Sequence, residues 1–147
     1  KISIVIHRES IIHSLVEYSD HAILAQLGAP DMRLPIQYAL TWPRRSEGVA
    51  KPLDLLTCPP LTFHAPDCEA FPCLRLALEA ARTGGTATAV LNGANEAAVG
   101  QFLAGKLSFA GIAQKVEEAL AAIPAVQSPG LEEILAADEA ARALVNR

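Results

Sequence analysis

Histidines and cysteines carry most of the chemistry this chain could perform. The stretch "HRESIIHSLVEY", His7 to Tyr18, sets two histidines six residues apart in an apolar, alternating context. An imidazole can move protons near neutral pH or ligate a metal. Six residues is the wrong step for a shared helical face, and no third ligand stands nearby, so the pair is weak as a metal site. Alternation puts His13 on a strand face with Ile11, Leu15 and Glu17, opposite Ile12, Ser14, Val16 and Tyr18. By its residues alone His13 reads as a core or sheet-surface histidine. His7 ends a strand and opens into a loop with Arg8 and Glu9, a position where functional groups are common.

Cys58, His64, Cys68 and Cys73 crowd into one proline-rich segment. Only Cys68 and Cys73, with four residues between them, approach the close ligand pairing of a structural zinc site. The expectation is free thiols, with a zinc-stabilised module as a competing reading. Three cysteines are an odd number without a paired framework, which favours a reducing compartment. Asn92, Asn95 and Glu96 stand at i, i+3 and i+4 and share one helical face. Asn is a poor helix former, so two on one stripe need a reason. A polar seam that fixes the helices against the strand module is the expected one, and direct ligand contact is the alternative. A phosphate-cradling glycine loop, a dinucleotide fingerprint, a Ser–His–Asp pattern and a paired-carboxylate signature are all absent.

The elements that hold these residues follow from pattern. The 147 residues suit one domain or two small modules. Hydrophobic residues make up 51% but aromatics only 5%, so Ala, Leu, Ile and Val must build the core. Net charge is −4 and pI about 5.5, which supplies no field for nucleic acid or an anionic membrane surface. No apolar run approaches the roughly 18 residues of a membrane-spanning helix, and no signal peptide is recognisable. The chain opens at Lys1 inside a strand pattern, as expected of a piece of a longer polypeptide.

The expected fold class is α+β. Residues 1–6, 10–18 and 22–28 read as a three-stranded β-meander, followed by a short helix in "PDMRLPIQYALTW" with Pro35 in its first turn. Residues 1–42 form this first module. Prolines 43, 52, 59, 60, 66 and 72 mark a linker over 43–72, with a possible edge strand around "LTFHA". A four-helix bundle then fills 73–147. Its clearest stripe is Phe109, Ile112, Val116, Leu120 and Ile123. Ser128 is expected to cap the last helix, with Pro129 at its first position and Leu131, Ile134 and Leu135 buried.

Three stretches in order carry a resemblance: "HRESIIHSLVEYSDHAILAQLGAPDMRLPIQYALTWP", "LTFHAPDCEAFPCLRLALEA" and "TAVLNGANEAAVGQFLAGKLSF". Together they resemble the 1-deoxy-D-xylulose 5-phosphate reductoisomerase family along the whole chain, most specifically in "ESIIHSLVEY" and "AQLGAPDMR". The chain is similar to that enzyme's C-terminal part: the end of an α/β catalytic domain, a linker and a C-terminal helical domain. The resemblance implies an NADPH-dependent, cytoplasmic, homodimeric oxidoreductase of non-mevalonate isoprenoid biosynthesis. Such an enzyme rearranges and reduces a phosphorylated sugar with Mg²⁺ or Mn²⁺ as Lewis acid, and engages neither nucleic acid nor membrane. It assigns His13 to the active site, Ser10 to the substrate phosphate, and Pro30 and Met32 to the nicotinamide end of the cofactor. The family's cofactor domain and metal ligands are expected upstream, with no metal ligand in this chain, so the fragment alone is expected to be inactive. "HRES" stands where many relatives have "HPQS", which loses a proline but keeps Ser10. The competing reading is a non-catalytic helical module that binds a partner or dimerises.

Overall fold

The computed structural model describes residues 2–147, which gather into two compact units, the first ending at Pro66 and the second spanning Asp67–Arg147. In the first unit, β1 (Ile12–Glu17) and β2 (Ile23–Leu27) form an antiparallel ribbon. Both strands are rich in β-branched and aliphatic residues, which favour extended backbone, and only Ile12 among them is partly covered. Leu15 pairs with Ala25, Val16 with Leu24 and Glu17 with Ile23. The turn between them closes through the His21 amide on the Tyr18 carbonyl (3.0 Å), and the Asp20 carboxylate accepts from the Ala22 amide (3.0 Å).

Two strands form where three were expected. Lys1 lies outside the described residues. Residues 2–6 make no strand, and only Ile6 pairs, with His64, through two reciprocal amide bonds of 2.9 Å. A strand needs a neighbour to take its backbone groups, and alternation alone supplies none. The segment expected as an edge strand, "LTFHA", contributes just this bridge.

Helix α1 (Arg33–Thr41) carries Pro35 in its first turn, where the missing amide would have had no helical partner. The Asp31 carboxylate accepts from the Arg33 amide (3.0 Å) and so serves the start of the helix. The proline-rich stretch expected as a linker over 43–72 lies with the first unit as far as Pro66. It is fastened there by Gln37 donating to the Glu47 carbonyl (2.6 Å) as well as by the Ile6 bridge.

The second unit is helical: α2 (Pro72–Thr83), α3 (Ala87–Leu103), α4 (Phe109–Ala122) and α5 (Leu131–Val145). Pro72 opens α2, and Gly84, at φ 70, closes it. Ser108 caps α4 by accepting from the Gly111 amide (3.1 Å). Leu76, Val90, Ile112, Val116 and Val145 meet around fully buried alanines at 94, 98, 119 and 141. Burying Val90 or Val116 contributes about 1.5–3 kcal/mol each. Small side chains let helices approach: a Cβ at Gly93 would sit 2.7 Å from the Asp138 carboxylate and 2.8 Å from its carbonyl oxygen. Thr86, wholly buried, ties the turn before α3 to the connection before α5, because its hydroxyl accepts from the Val126 amide and its own amide donates back, both at 3.0 Å.

Three expectations for this unit need correction. Phe109 is 71% exposed, so the stripe on α4 begins at Ile112. In α5, Gly130 takes the cap position expected of Ser128, with the Glu133 carboxylate accepting from its amide (2.8 Å). Leu131 and Leu135 are exposed and Ile134 is only partly covered, against the expected burial. The stripe that faces inward runs through Asp138, Ala141 and Val145, because the close approach at Gly93 sets the rotation of α5.

Candidate functional site

Ladder geometry gathers the candidate residues of the first unit at the open end of the ribbon. Ile12 pairs with Leu27, and the Gly28 amide donates to the Ile11 carbonyl (3.0 Å). Ser10 and His13 therefore flank the same end as Pro30 and Met32, which follow Gly28 within four residues. Ile11 and Gly28 are buried here, and the four candidates are exposed.

His13 sits in a register shift. Strand β1 advances two residues, Ile12 to Ser14, while β2 advances one, Leu27 to Gln26. Such a bulge re-aims a side chain. It breaks the strict alternation on which Ile11, His13 and Leu15 were expected to share one face. Ser10 has φ 52, in the left-handed region, and its amide donates to the His7 carbonyl (3.2 Å). For a residue with a Cβ this conformation costs on the order of 1 kcal/mol, so its surroundings must enforce it.

The residues just before it, His7 and Glu9, are tied to Thr62. The Glu9 carboxylate accepts from the Thr62 hydroxyl (2.7 Å) and the Thr62 amide (3.2 Å). The Thr62 hydroxyl bond above all holds the Glu9 carboxyl down to about 2. His7 Nδ1 lies 2.8 Å from the Thr62 carbonyl oxygen and 3.0 Å from Glu9 Oε2. Both neighbours can only accept, so Nδ1 carries the proton. The ring is stacked on Phe63 with centroids 4.9 Å apart, and Nε2 is buried with no partner among the described residues.

On the other side of the ribbon end, Arg33 grips Asp31 with Nε at 3.0 Å and Nη2 at 2.6 Å. That side-chain pairing holds Asp31 down to about 2. The pair braces the turn between Pro30 and α1, where Met32 is 72% exposed. A cleft of about 410 Å³ opens beside it, lined by Gly28, Leu34, Gln37, Val49 and Lys51.

In the second unit, Asn92 donates to Glu96 (3.4 Å), and Glu96 accepts from Arg142 Nη2 (2.6 Å), which also reaches Asp138. Within the second unit this polar seam joins α3 to α5. Asn95 borders a small cavity with Cys73, Ala77 and Leu91. Cys58, His64, Cys68 and Cys73 do not converge: among the described residues no three His, Cys, Asp or Glu side chains could hold one metal ion. Sequence reasoning missed Thr62, Glu9 and Arg142. Their contacts span 53 and 46 positions, and no local spacing signals them.

Residues 27–144 match the family model described as the DXP reductoisomerase C-terminal domain. The chain belongs to this family. The 1-deoxy-D-xylulose 5-phosphate reductoisomerase of Acetivibrio thermocellus is 51% identical over 144 residues, which are 98% of this chain and 38% of that protein. The reductoisomerase from Zymomonas mobilis, solved in complex with NADPH, superposes with a TM-score of 0.85 at 47% identity. It covers 97% of this chain, which spans 38% of that one. A DOX-P reductoisomerase solved with NADPH, fosmidomycin and magnesium gives a TM-score of 0.86 at 44% identity, covering 97% of this chain and 37% of that one. The α+β class of the DXP reductoisomerase C-terminal region holds for this chain. The chain spans well under half the length of these relatives.

Proposed function

We propose that this chain is the C-terminal part of an NADPH-dependent reductoisomerase that converts 1-deoxy-D-xylulose 5-phosphate to 2-C-methyl-D-erythritol 4-phosphate in non-mevalonate isoprenoid biosynthesis. The observation that carries the reading is 51% identity to a named reductoisomerase over 98% of the chain. The clustering of Ser10, His13, Pro30 and Met32 at one ribbon end supports their roles.

In this reading the Ser10 hydroxyl donates to the substrate phosphate. The His13 imidazole, re-aimed by the bulge, lines the reacting carbon skeleton and accepts or returns a hydroxyl proton. Pro30 and Met32 offer an exposed apolar ledge that fits a flat nicotinamide ring and excludes water from it. NADPH, when bound, supplies the hydride. For Mg²⁺ or Mn²⁺ the fit fails within this chain, since no three ligating side chains gather among the described residues. The metal ligands and the cofactor domain are assigned to the part of the relatives that this chain does not span.

The same reading makes the protein a cytoplasmic homodimer. Free Cys58, Cys68 and Cys73 are compatible with a reducing compartment, and no described helix is long and apolar enough to cross a membrane. Val16 and Leu24, cross-strand partners on one face of the ribbon, are exposed apolar surface that a second copy or the rest of the longer protein would cover.

The test is NADPH absorbance with 1-deoxy-D-xylulose 5-phosphate and Mg²⁺, using the protein from its natural start. Oxidation that needs both substrate and metal is expected. Well-folded protein that binds NADPH without turnover would favour a non-catalytic module instead.

A further inference from the structure

We infer that His7, Glu9 and Thr62 are positioning residues, a hydrogen-bonded clamp that sets the turn at Ser10 and thereby the grip on the substrate phosphate. The inference rests on the reading of Ser10 given above. His7 and Glu9 precede Ser10 within the same turn, and the Ser10 amide is bonded to the His7 carbonyl. A left-handed residue with a side chain persists only where neighbours over-determine it. Here the neighbours do so from segment 62–64. Ile6 and His64 exchange backbone bonds, His7 Nδ1 donates to the Thr62 carbonyl, and Glu9 takes both the amide and the hydroxyl of Thr62. The side chain of His7 is 5% exposed and that of Glu9 16%, so water competes poorly for these bonds. Phe63 stacked on the imidazole closes the remaining direction.

The chemistry of the clamp lies in its donors and acceptors, and charge is secondary. A glutamine at position 9 could turn its amide so that the oxygen accepts from the Thr62 amide and His7 Nδ1. Its NH₂ would then donate to the Thr62 hydroxyl, which can accept as well as donate. Every bond survives without the negative charge. An alanine at 9, or a valine at 62, loses the bond between side chains.

The experiment uses the full-length protein and steady-state kinetics with 1-deoxy-D-xylulose 5-phosphate, NADPH and Mg²⁺. Glu9→Ala and Thr62→Val should each raise KM for the sugar phosphate about tenfold, with kcat and the KM for NADPH changed less than about twofold. Glu9→Gln should recover most of that loss. His7→Asn, whose amide can keep the bond to the Thr62 carbonyl, should outperform His7→Leu. Equal effects on both substrates, or Glu9→Gln as poor as Glu9→Ala, would overturn the clamp while leaving the reductoisomerase intact. A lower Tm with unchanged KM would overturn it too, and would mark the contacts as structural. Absence of turnover by the unsubstituted protein would remove the functional reading first, and this inference with it.

Discussion

Arg142 on α5 reaches Glu96 on α3 at 2.6 Å and holds Asp138 on its own helix at the same distance. One guanidinium thereby joins two helices just where Gly93 lets them approach, and the geometry explains why polar residues interrupt an otherwise apolar pair of helices. The planar Arg fork presents several donors in fixed directions, two of them to Asp138 and one to Glu96. This is one of several places where the fold depends on contacts between distant positions.

Removing the close approach should therefore be costly. Gly93→Ala brings a Cβ within 2.7 Å of Asp138 Oδ1 and 2.8 Å of its backbone oxygen, and a carbonyl cannot step aside as a flexible side-chain tip can. A loss of about 1–3 kcal/mol in urea unfolding is expected. Thr86→Val, nearly isosteric, leaves the partly buried Val126 amide without its acceptor and should also lose about 1–3 kcal/mol. Wild-type midpoints for either variant would contradict this packing.

Acid should loosen the first unit in a defined window. Glu9 and Asp31 are each held down to about 2, mainly by the Thr62 hydroxyl and the Arg33 side chain respectively. A carboxyl depressed in the folded state stabilises fully above its unfolded value and loses that contribution as pH falls through the folded value. The loss should begin near 4.5 for Glu9 and 3.8 for Asp31 and be complete near 2. Urea midpoints followed down this range should fall, and Glu9→Gln and Asp31→Asn should each flatten the fall. An unchanged slope in both variants would exclude these carboxylates as its source.

The tautomer of His7 is open to direct observation. With two acceptors at Nδ1, the neutral ring should carry its proton there and leave Nε2 bare. Long-range nitrogen–proton correlation on histidine-labelled protein at alkaline pH separates the two forms. A proton on Nε2 would show that Nδ1 has lost the Thr62 carbonyl in solution.

Kinetics distinguish the roles at the ribbon end. His13→Ala should lower kcat about a hundredfold if its imidazole handles a proton of the substrate. Met32→Ala should raise KM for NADPH by roughly threefold to tenfold, with a smaller effect on the sugar phosphate. A His13 variant with full kcat would return that residue to the sheet surface.

Much of the architecture was legible along the chain because it depends on near neighbours. The strand runs "IHSLVE" and "ILAQL", the short helix with Pro35 in its first turn, and the stripe of Ile112, Val116 and Leu120 on α4 could all be read in order. Ser10, His13, Pro30 and Met32 were named by the family resemblance of the run that holds them; by its residues alone His13 read as a core or sheet-surface histidine. Tertiary structure decided the rest. Alternation in residues 2–6 could not supply a partner strand, so one bridge to His64 replaced it. Apolar spacing in α5 pointed to Leu131 and Leu135, but the fit of Gly93 against Asp138 rotated them outward. The bulge at His13 depends on how two strands align, and the hold on Ser10 depends on Thr62. Periodicity and capping act within a few residues and can be read in order. Register, helix rotation and the partners of buried polar groups arise only when distant segments compete for the same space and the same hydrogen bonds.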